Sequence, residues 1–294
     1  MNNFWFFVKK KEKKFIMVLC ISVLSILSGM MFHSAESTAS QVITGKKGWL
    51  FYKAIGDGST LSDYRGTNHY SASGLKRVEN NMMAAKRAVE AKGAQFVVML
   101  APNKESIYSQ YMPKQYKRKT TYTRYDQLYD YLEANTDLDV CYPKQSLLKY
   151  KDRYELYYPT DNHWNRQGQF IGVQELMDIT DGRAISISSV KFTKKRNYYG
   201  DLCKLSYGEH KYYCNQYTLK TKVKKTEKSS QKVLLVGDSF AGRMYHVAKK
   251  YYKKVRFCHI NNFHMSRVKK GEVVVWETLE RYQDRFARIN FAKK

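Results

Sequence analysis

The sequence predicts an α/β fold, a three-layer α/β/α sandwich around a parallel central sheet. From residue 233 onwards, apolar runs of strand length alternate with stretches of helical periodicity. This alternation is typical of a parallel sheet that is covered by helices on both faces. The nearly continuous apolar run Ala94–Leu100 is typical of a buried parallel strand. A chain of 294 residues is long enough for one sizeable core.

The N-terminal residues predict a membrane anchor. Five lysines precede an uncharged apolar run of 18 residues, Phe15–Phe32, which is about the minimum for a helix that spans the ~30 Å hydrocarbon core. Lysines stay on the cytoplasmic side, so we expect a single-pass protein of the cell membrane whose N-terminus is cytoplasmic and whose folded domain is extracytoplasmic. The alternative is a cleaved signal peptide, because Ser34–Ser40 offers small residues to a peptidase. The predicted regions are a cytoplasmic basic segment (1–14), a transmembrane signal-anchor (15–33), a spacer (34–44) and one folded domain (45–294).

Turn residues and periodicity predict the first elements of this domain. Gly45–Tyr52 (GKKGWLFY) is a turn that leads into a strand. In Tyr70–Lys92 the apolar residues recur at helical spacing, Ser71 is a suitable N-cap and Gly93 follows the last turn. The next predicted elements are the strand Ala94–Leu100, the helix Thr123–Ala134, the strand Asp139–Tyr142 and the helix Asn165–Ile179.

Residues 183–232 are polar, rich in lysine and weakly patterned, and we expect an excursion with hairpin character there. The strands and helices that follow it carry the alternation on which the fold class depends. They are predicted as the strand Val233–Val236, the helix Arg243–Tyr252, the strands Val255–Ile260 and Glu272–Trp276, and a closing helix Glu280–Ile289.

The charge of the chain is strongly positive. There are 52 lysines and arginines against 26 acidic residues, a formal net charge of +26. The basic segment before the apolar run contributes +4 (five lysines less Glu12), so 26 − 4 leaves about +22 on the exported part. Such a field attracts polyanions, and export excludes nucleic acid as a working partner. We therefore expect an anionic cell-surface glycan, unless the lysines only keep the protein soluble.

The five cysteines do not form a metal-binding pattern. There is no CxxC and no Cys/His spacing, so we predict no structural zinc, no other metal and no cofactor. Cys203 and Cys214 flank a short polar stretch. They would close a disulfide in an oxidising compartment or remain thiols.

The segment Val233–Arg243 (VLLVGDSFAGR) predicts a nucleophile. An apolar strand runs into Gly-Asp-Ser-Phe and then into a helix, which places Ser239 at the carboxyl end of a parallel strand, where open α/β sheets build their sites. A helix that begins behind Ser239 directs backbone N–H groups at the point where an oxyanion would develop. The alternative is that Ser239 only caps the helix.

A serine hydroxyl needs a base to become a nucleophile. His163 lies in Tyr157–Gln169 (YYPTDNHWNRQGQ), in a loop at the entrance of a helix that Asn165 can cap. Asp161, two residues earlier, can accept the Nδ1–H of the ring and leave Nε2 free to face a serine. A DxH in a loop is often incidental on its own. Together with the GDS segment it predicts a catalytic triad of Ser239, His163 and Asp161.

GDSF with an upstream DxHW resembles the SGNH hydrolase superfamily, and specifically its branch of alginate O-acetylation proteins and the related DHHW family. In that branch the Asp-His motif precedes the Ser motif, as it does here. Three further segments are similar to the family's opening strand, to the segment after its first core strand and to its C-terminal signature: GWLFY (Gly48–Tyr52), APNKESIYSQYMP (Ala101–Pro113) and WETLERY (Trp276–Tyr282).

The resemblance implies an SGNH-like sandwich and transfer of acetyl groups onto a cell-surface or secreted polysaccharide, through an acyl-serine at Ser239. It also implies a partner, a multi-spanning membrane O-acyltransferase that supplies the acetyl groups. The motif here reads DNHW instead of DHHW, and the family's glycine and asparagine blocks cannot be placed. Three residues are candidates for oxyanion or substrate contacts: Asn103, Asp238 and Arg281. Arg281 would hold a substrate carboxylate or, alternatively, pair with Glu277 across one helical turn.

Two other functions stay open. A carbohydrate esterase or deacetylase would use the same triad, because the outcome depends on whether water or a sugar hydroxyl reaches the acyl-enzyme. A non-catalytic surface protein would use the positive field to bind an anionic glycan such as teichoic acid.

Overall fold

The structure is a computed structural model that describes residues 41–53, 59–206 and 212–294. The predicted membrane anchor, 15–33, lies outside these residues. None of the helices in the described ranges is long and apolar enough to cross a membrane. Strand β1 (Val42–Thr44) pairs antiparallel with β2 (Leu50–Tyr52), so the folded part includes the end of the segment predicted as a spacer.

A parallel sheet of five strands forms the centre of the molecule and confirms the predicted sheet. Its strands are β3 (Gln95–Ala101), β4 (Asp139–Cys141), β7 (Ser229–Gly237), β8 (Tyr252–His259) and β9 (Glu272–Leu279). Their order in the sheet is β4-β3-β9-β7-β8, and each neighbouring pair is parallel.

Helices cover both faces of this sheet, which confirms the α/β/α layers. Within the described residues the helices are α1 (Ser59–Arg65), α2 (Ala72–Glu90), α3 (Lys104–Ile107), α4 (Arg124–Asn135), α5 (Lys144–Tyr150), α6 (Arg166–Asp181), α7 (Asp201–Leu205), α8 (Ser239–Tyr251) and α9 (Arg285–Arg288). Side chains alternate along β9, so that Val273 and Val275 pack on the side of α6 and α8, whereas Val274 and Trp276 pack on the side of α2 and α4.

The C-terminal prediction was wrong in one element. The closing helix predicted over Glu280–Ile289 does not form as one continuous helix. Strand β9 continues to Leu279 with all its residues buried, a 3₁₀ turn occupies Glu280–Tyr282 and only Arg285–Arg288 is α-helical. Helix α8 also begins four residues earlier than predicted, directly at Ser239.

The polar excursion has the predicted hairpin character. Strands β5 (Phe192–Tyr198) and β6 (Cys214–Leu219) pair antiparallel. Cys203 and Cys214 are both free thiols in this structure, and the Thr160 hydroxyl donates a hydrogen bond to the Cys214 sulfur at 3.1 Å. Gly200 packs so closely on the Thr160 carbonyl that a Cβ at this position would overlap it. The excursion therefore closes over the loop that carries the predicted base.

Candidate active site

Ser239 lies at a sharp turn between β7 and α8. Strand β7 ends at Gly237, and Ser239 is the exposed first residue of α8. Asp238, and not Ser239, is the N-cap of this helix, since its carboxylate accepts a hydrogen bond from the Phe240 N–H at 2.9 Å. The Ser239 hydroxyl is therefore not used for capping and is available for chemistry.

Glu277 holds this turn from behind. Its carboxylate, at the end of β9, accepts hydrogen bonds from the N–H groups of Asp238 at 3.1 Å and Ala241 at 3.2 Å. A side chain at Gly237 would overlap the same carboxylate. Burial raises the pKa of Glu277 well above its ordinary value, and the charge of Asp238 raises it further. Glycine at 237 and glutamate at 277 together fix the position of Ser239.

The backbone N–H of Ser239 is a free donor at this turn. The neighbouring N–H groups of residues 238, 240, 241 and 242 all have acceptors within the protein. In the described part of the chain no acceptor is found for the N–H of Ser239. This group, at the positive end of the α8 dipole, can stabilise an oxyanion that develops on a carbonyl attacked by Ser239.

The structure brings the three residues of the predicted triad together. The distance from His163 Nε2 to Ser239 Oγ is 2.7 Å, and the distance from His163 Nδ1 to Asp161 Oδ1 is 2.6 Å. An isolated bridge between Tyr157 and Trp164 closes the base of the loop. Asn165 then caps α6, as expected, by accepting from the N–H of residue 167. The imidazole is thus held in the tautomer that leaves Nε2 facing the serine.

Asp161 is hydrogen-bonded on both carboxylate oxygens. Oδ2 accepts from the Tyr198 hydroxyl at 2.6 Å and from the Asp201 N–H at 3.3 Å, and Arg243 lies 3.6 Å away. Burial alone would raise the pKa of Asp161, but the hydrogen bond and charge of His163, together with Arg243, lower it well below its ordinary value. Asp161 is therefore ionised across the physiological range.

Asp201 adds a second carboxylate to the base. Its Oδ2 lies 3.4 Å from His163 Nδ1, and its Oδ1 accepts from the Asn162 N–H at 2.8 Å. Burial alone would lower the pKa of His163, but the hydrogen bonds with Asp161 and Asp201 outweigh it and raise the pKa above 6.5. The excursion thus supplies a group that strengthens the base.

Asp161, His163 and Asp201 also bring one potential metal-ligand atom each within 4.8 Å of one another. The surroundings of this set favour a shared proton over a metal ion. The Nδ1 of His163 is occupied by its hydrogen bond to Asp161, and the positive charges of Arg243 and Lys104 lie close to the same carboxylate. We assign no metal to it.

Asn103 does not contact Ser239 among the described interactions. It follows β3, which β9 separates from the serine strand β7, and it is buried at the N-cap of α3. Its N–H donates to Glu280 at 2.8 Å. The contact of Asn103 with an oxyanion therefore stays a prediction.

Arg281 does not pair with Glu277 across a helical turn, because Glu277 lies in a strand. Its guanidinium is buried over the rings of Tyr52, at 4.9 Å, and Tyr282, at 5.5 Å. Asp238, the third of these candidates, is the helix cap, and Arg285 lies 3.4 Å from its carboxylate. Asp238 therefore supports the turn at the serine, and the predicted contact of Arg281 with a substrate carboxylate stays a prediction.

Sequence reasoning missed Tyr198, Asp201, Arg243 and Lys104 as parts of this site. Arg243 could have been predicted, because it follows Ser239 by four residues and therefore lies on the same face of a helix. Tyr198 and Asp201 lie in the weakly patterned excursion, where spacing carried no signal. Lys104 lies far from this loop in sequence, since its ammonium group donates to the Tyr158 carbonyl, more than 50 residues away along the chain.

Comparisons with known proteins identify the family and the fold. The family described as "SGNH hydrolase-like domain, acetyltransferase AlgX" matches residues 42–254. The curated proteins include no match.

Solved structures share the fold at low sequence identity. The O-acetyltransferase domain of Pseudomonas putida AlgJ is 18% identical over 85% of this chain and 93% of its own, with a TM-score of 0.58. Bacillus cereus PatB1 with a sulfonyl adduct is 14% identical over 86% and 98%, with a TM-score of 0.58. A DHHW family protein from Eubacterium siraeum is 12% identical over 85% and 96%, with a TM-score of 0.55. The chain belongs to the AlgX family of SGNH hydrolase-like acetyltransferase domains.

Proposed function

We propose that this chain is an extracytoplasmic O-acetyltransferase that moves acetyl groups onto a cell-surface or secreted polysaccharide through an acetyl-serine at Ser239. The observation that carries the proposal is the hydrogen-bonded series Ser239–His163–Asp161, with distances of 2.7 and 2.6 Å, on an SGNH-like fold. Membership of an acetyltransferase family supports acetyl transfer in particular.

In the first half-reaction, Ser239 Oγ attacks the carbonyl carbon of the donor acetyl group and its proton passes to His163 Nε2. The N–H of Ser239 stabilises the negative charge that develops on the carbonyl oxygen. When the bond between the carbonyl carbon and the donor breaks, His163 returns the proton to the leaving group. The product is an acetyl ester on Ser239.

In the second half-reaction, a sugar hydroxyl gives its proton to His163 Nε2 and attacks the acetyl-serine. The bond between the acetyl carbon and Ser239 Oγ breaks, and Ser239 takes the proton back from His163. Asp161 stays ionised throughout and stabilises the imidazolium that forms in each half-reaction.

The charge around Ser239 supports an anionic acceptor. Arg243 and Arg285 are each about one-third exposed, the first beside Asp161 and the second beside Asp238. Both guanidinium groups can meet a carboxylate or phosphate on a glycan that approaches the exposed serine. This local charge supports an anionic glycan more directly than the net charge does.

We infer the cellular arrangement from the sequence. The apolar run within residues 15–33 would anchor the chain with its N-terminus in the cytoplasm and the catalytic domain outside. A multi-spanning membrane O-acyltransferase would deliver acetyl groups to Ser239, because the cytoplasm is the usual source of activated acetyl groups and this domain would lie on the other side of the membrane.

A second candidate function is ester hydrolysis. Ser239 is exposed, so water has access to an acetyl-serine, and a deacetylase would use the same triad.

One assay separates the two functions. The full chain in detergent is incubated with 4-nitrophenyl acetate and either neutral or acidic polysaccharides, and acetyl bound to sugar is measured against free acetate. The proposal predicts that the wild type transfers acetyl groups to an acidic polysaccharide and that Ser239→Ala transfers none. Free acetate alone, with every polysaccharide, would favour the esterase. Undiminished turnover by Ser239→Ala would exclude both.

A further inference from the structure

Lys104 is a buried cation next to the catalytic loop. It is the first residue of α3 and only 1% exposed. Among the described residues no carboxylate lies within ion-pair distance of its ammonium group. Burying a charge is unfavourable unless hydrogen bonds replace the water that is lost, so the partners of this ammonium group indicate what it does.

These partners are three backbone carbonyls of the loop before His163. Nζ of Lys104 donates to the carbonyl oxygens of Tyr158 at 3.1 Å, Pro159 at 3.2 Å and Asp161 at 2.8 Å. A lysine ammonium group has three donors, and here each donor has one carbonyl. The rings of Trp49 and Phe51 lie 5.6 and 5.1 Å from the same nitrogen and favour its positive charge.

The remaining carbonyl of this loop is also occupied. Thr160 O accepts from the Leu202 N–H at 3.2 Å. The Pro159 carbonyl accepts a second hydrogen bond, from the Leu50 N–H at 2.9 Å. All four carbonyls from 158 to 161 are therefore bonded, three of them to a single nitrogen. Removal of that nitrogen would leave the Asp161 carbonyl without a donor among the described residues, and the Tyr158 carbonyl with only the long hydrogen bond from the Asp161 N–H at 3.5 Å.

We infer that Lys104 is a positioning residue, whose ammonium group holds the catalytic loop in the shape that aligns Asp161 and His163 with Ser239. This inference rests on the proposed function of the triad. It assigns a role to the lysine of the APNKES segment, which lies two strands away from the serine strand. Misplacement of a catalytic group by about 1 Å can lower a rate by about 10²-fold, which sets the expected effect.

The ionisation of Lys104 is consistent with this role. Burial lowers its pKa to about 8, although Asp161, Asp201, Glu105 and Cys214 nearby favour the charged form. The neutral amine has only two N–H groups for three carbonyls. The loop should therefore loosen as Lys104 loses its proton.

The test compares two buried lysines in the full chain. Lys104→Met removes the donors but keeps an unbranched apolar stem. Lys144→Met is the matched control, because Lys144 is also buried but is bonded to Asp126 on α4. Turnover of 4-nitrophenyl acetate is measured together with the low-field proton resonance of the hydrogen bond between His163 and Asp161, which reports the alignment without depending on activity.

The inference predicts that Lys104→Met lowers kcat by about 10²-fold with little change in KM, and shifts or broadens the low-field resonance. Lys144→Met should keep both at wild-type values. An unchanged resonance in Lys104→Met, or an equal loss of kcat in both variants, would overturn it. An active Ser239→Ala would instead contradict the proposed function, so the two failures are distinguishable.

If Lys104→Met does not fold, the wild-type protein provides the test. The ionisation of Lys104 is followed by the ¹⁵N shift of its Nζ, and kcat is measured over the same pH range. The inference predicts that kcat falls as Lys104 loses its proton. A constant kcat through that ionisation would overturn it.

Discussion

Asp161 receives hydrogen bonds on both carboxylate oxygens, from His163 on one and from Tyr198 and Asp201 on the other. Asp161→Asn keeps the size of the side chain but presents an amide, which favours the wrong imidazole tautomer. We expect kcat with an activated acetyl ester to fall by up to ~10⁴-fold, while thermal unfolding shows a folded protein. A folded variant that retained most of its activity would mean that another group orients His163.

The pH dependence of acylation should report the raised pKa of His163. The neutral imidazole is the base, so kcat/KM should rise with pH through a pKa above 6.5. Asp201→Asn removes one of the contacts that raise this pKa, and its profile should therefore rise at lower pH than that of the wild type. A flat wild-type profile would argue against a histidine base, and an unshifted profile in the variant would remove Asp201 from this role.

The triad residues were predictable because each lies in a short motif at the end of an element. Ser239 follows an apolar strand, and Asp161 and His163 precede a capped helix. Tyr198 and Asp201 were not predictable, because they reach the site through the fold of a polar excursion. The close packing of Gly200 on Thr160 that brings them there leaves no periodic pattern in the sequence.

The turn between β7 and α8 depends on close packing at Gly237. A Cβ at this position would meet the Glu277 carboxylate and lie 2.9 Å from the Cβ of Ala241. We expect Gly237→Ala to lower the free energy of unfolding by ~1–3 kcal/mol and to lower kcat, because Ser239 must move. Denaturant unfolding and ester turnover measure the two effects.

Gly74→Ala, in the first turn of α2, is the control for this change, since the nearest atom to its Cβ would be the Ser71 hydroxyl at 3.2 Å. It should leave kcat unchanged. A Gly237→Ala variant with wild-type stability and turnover would show that the turn tolerates a side chain.

Among the elements, buried strands and capped helices were predicted best. Helix α2 begins after Ser71, which accepts from the Gly74 N–H at 3.1 Å as the pattern indicated. Strand β9 runs three residues beyond its predicted end, through Glu277, Thr278 and Leu279, and only Arg285–Arg288 of the predicted closing helix is α-helical. Glu277 is a polar residue that a strand buries only because the N–H groups of the turn before α8 bind it, and no local pattern reports that contact.

At the scale of the whole molecule, the net charge of +26 predicts a salt-dependent association with acidic glycans. The Debye length shortens from about 10 Å at 0.1 M salt to about 3 Å at 1 M, so binding of an acidic polysaccharide should weaken steeply over this range. Hydrolysis of a small neutral acetyl ester should hardly change, which controls for general damage by salt. Binding that is insensitive to salt, or equal binding of a neutral polysaccharide, would contradict electrostatic recruitment.

The central claim is that Ser239 carries the acetyl group between donor and acceptor. The most direct measurement is the intact mass of the full chain, quenched by acid during turnover of 4-nitrophenyl acetate, followed by peptide mapping. The account predicts the added mass of one acetyl group, located on Ser239, which is lost when an acceptor polysaccharide is added and never forms in Ser239→Ala. Acetylation at another residue with continued turnover by Ser239→Ala, or turnover by a direct transfer that leaves no acetyl group on the protein, would contradict it.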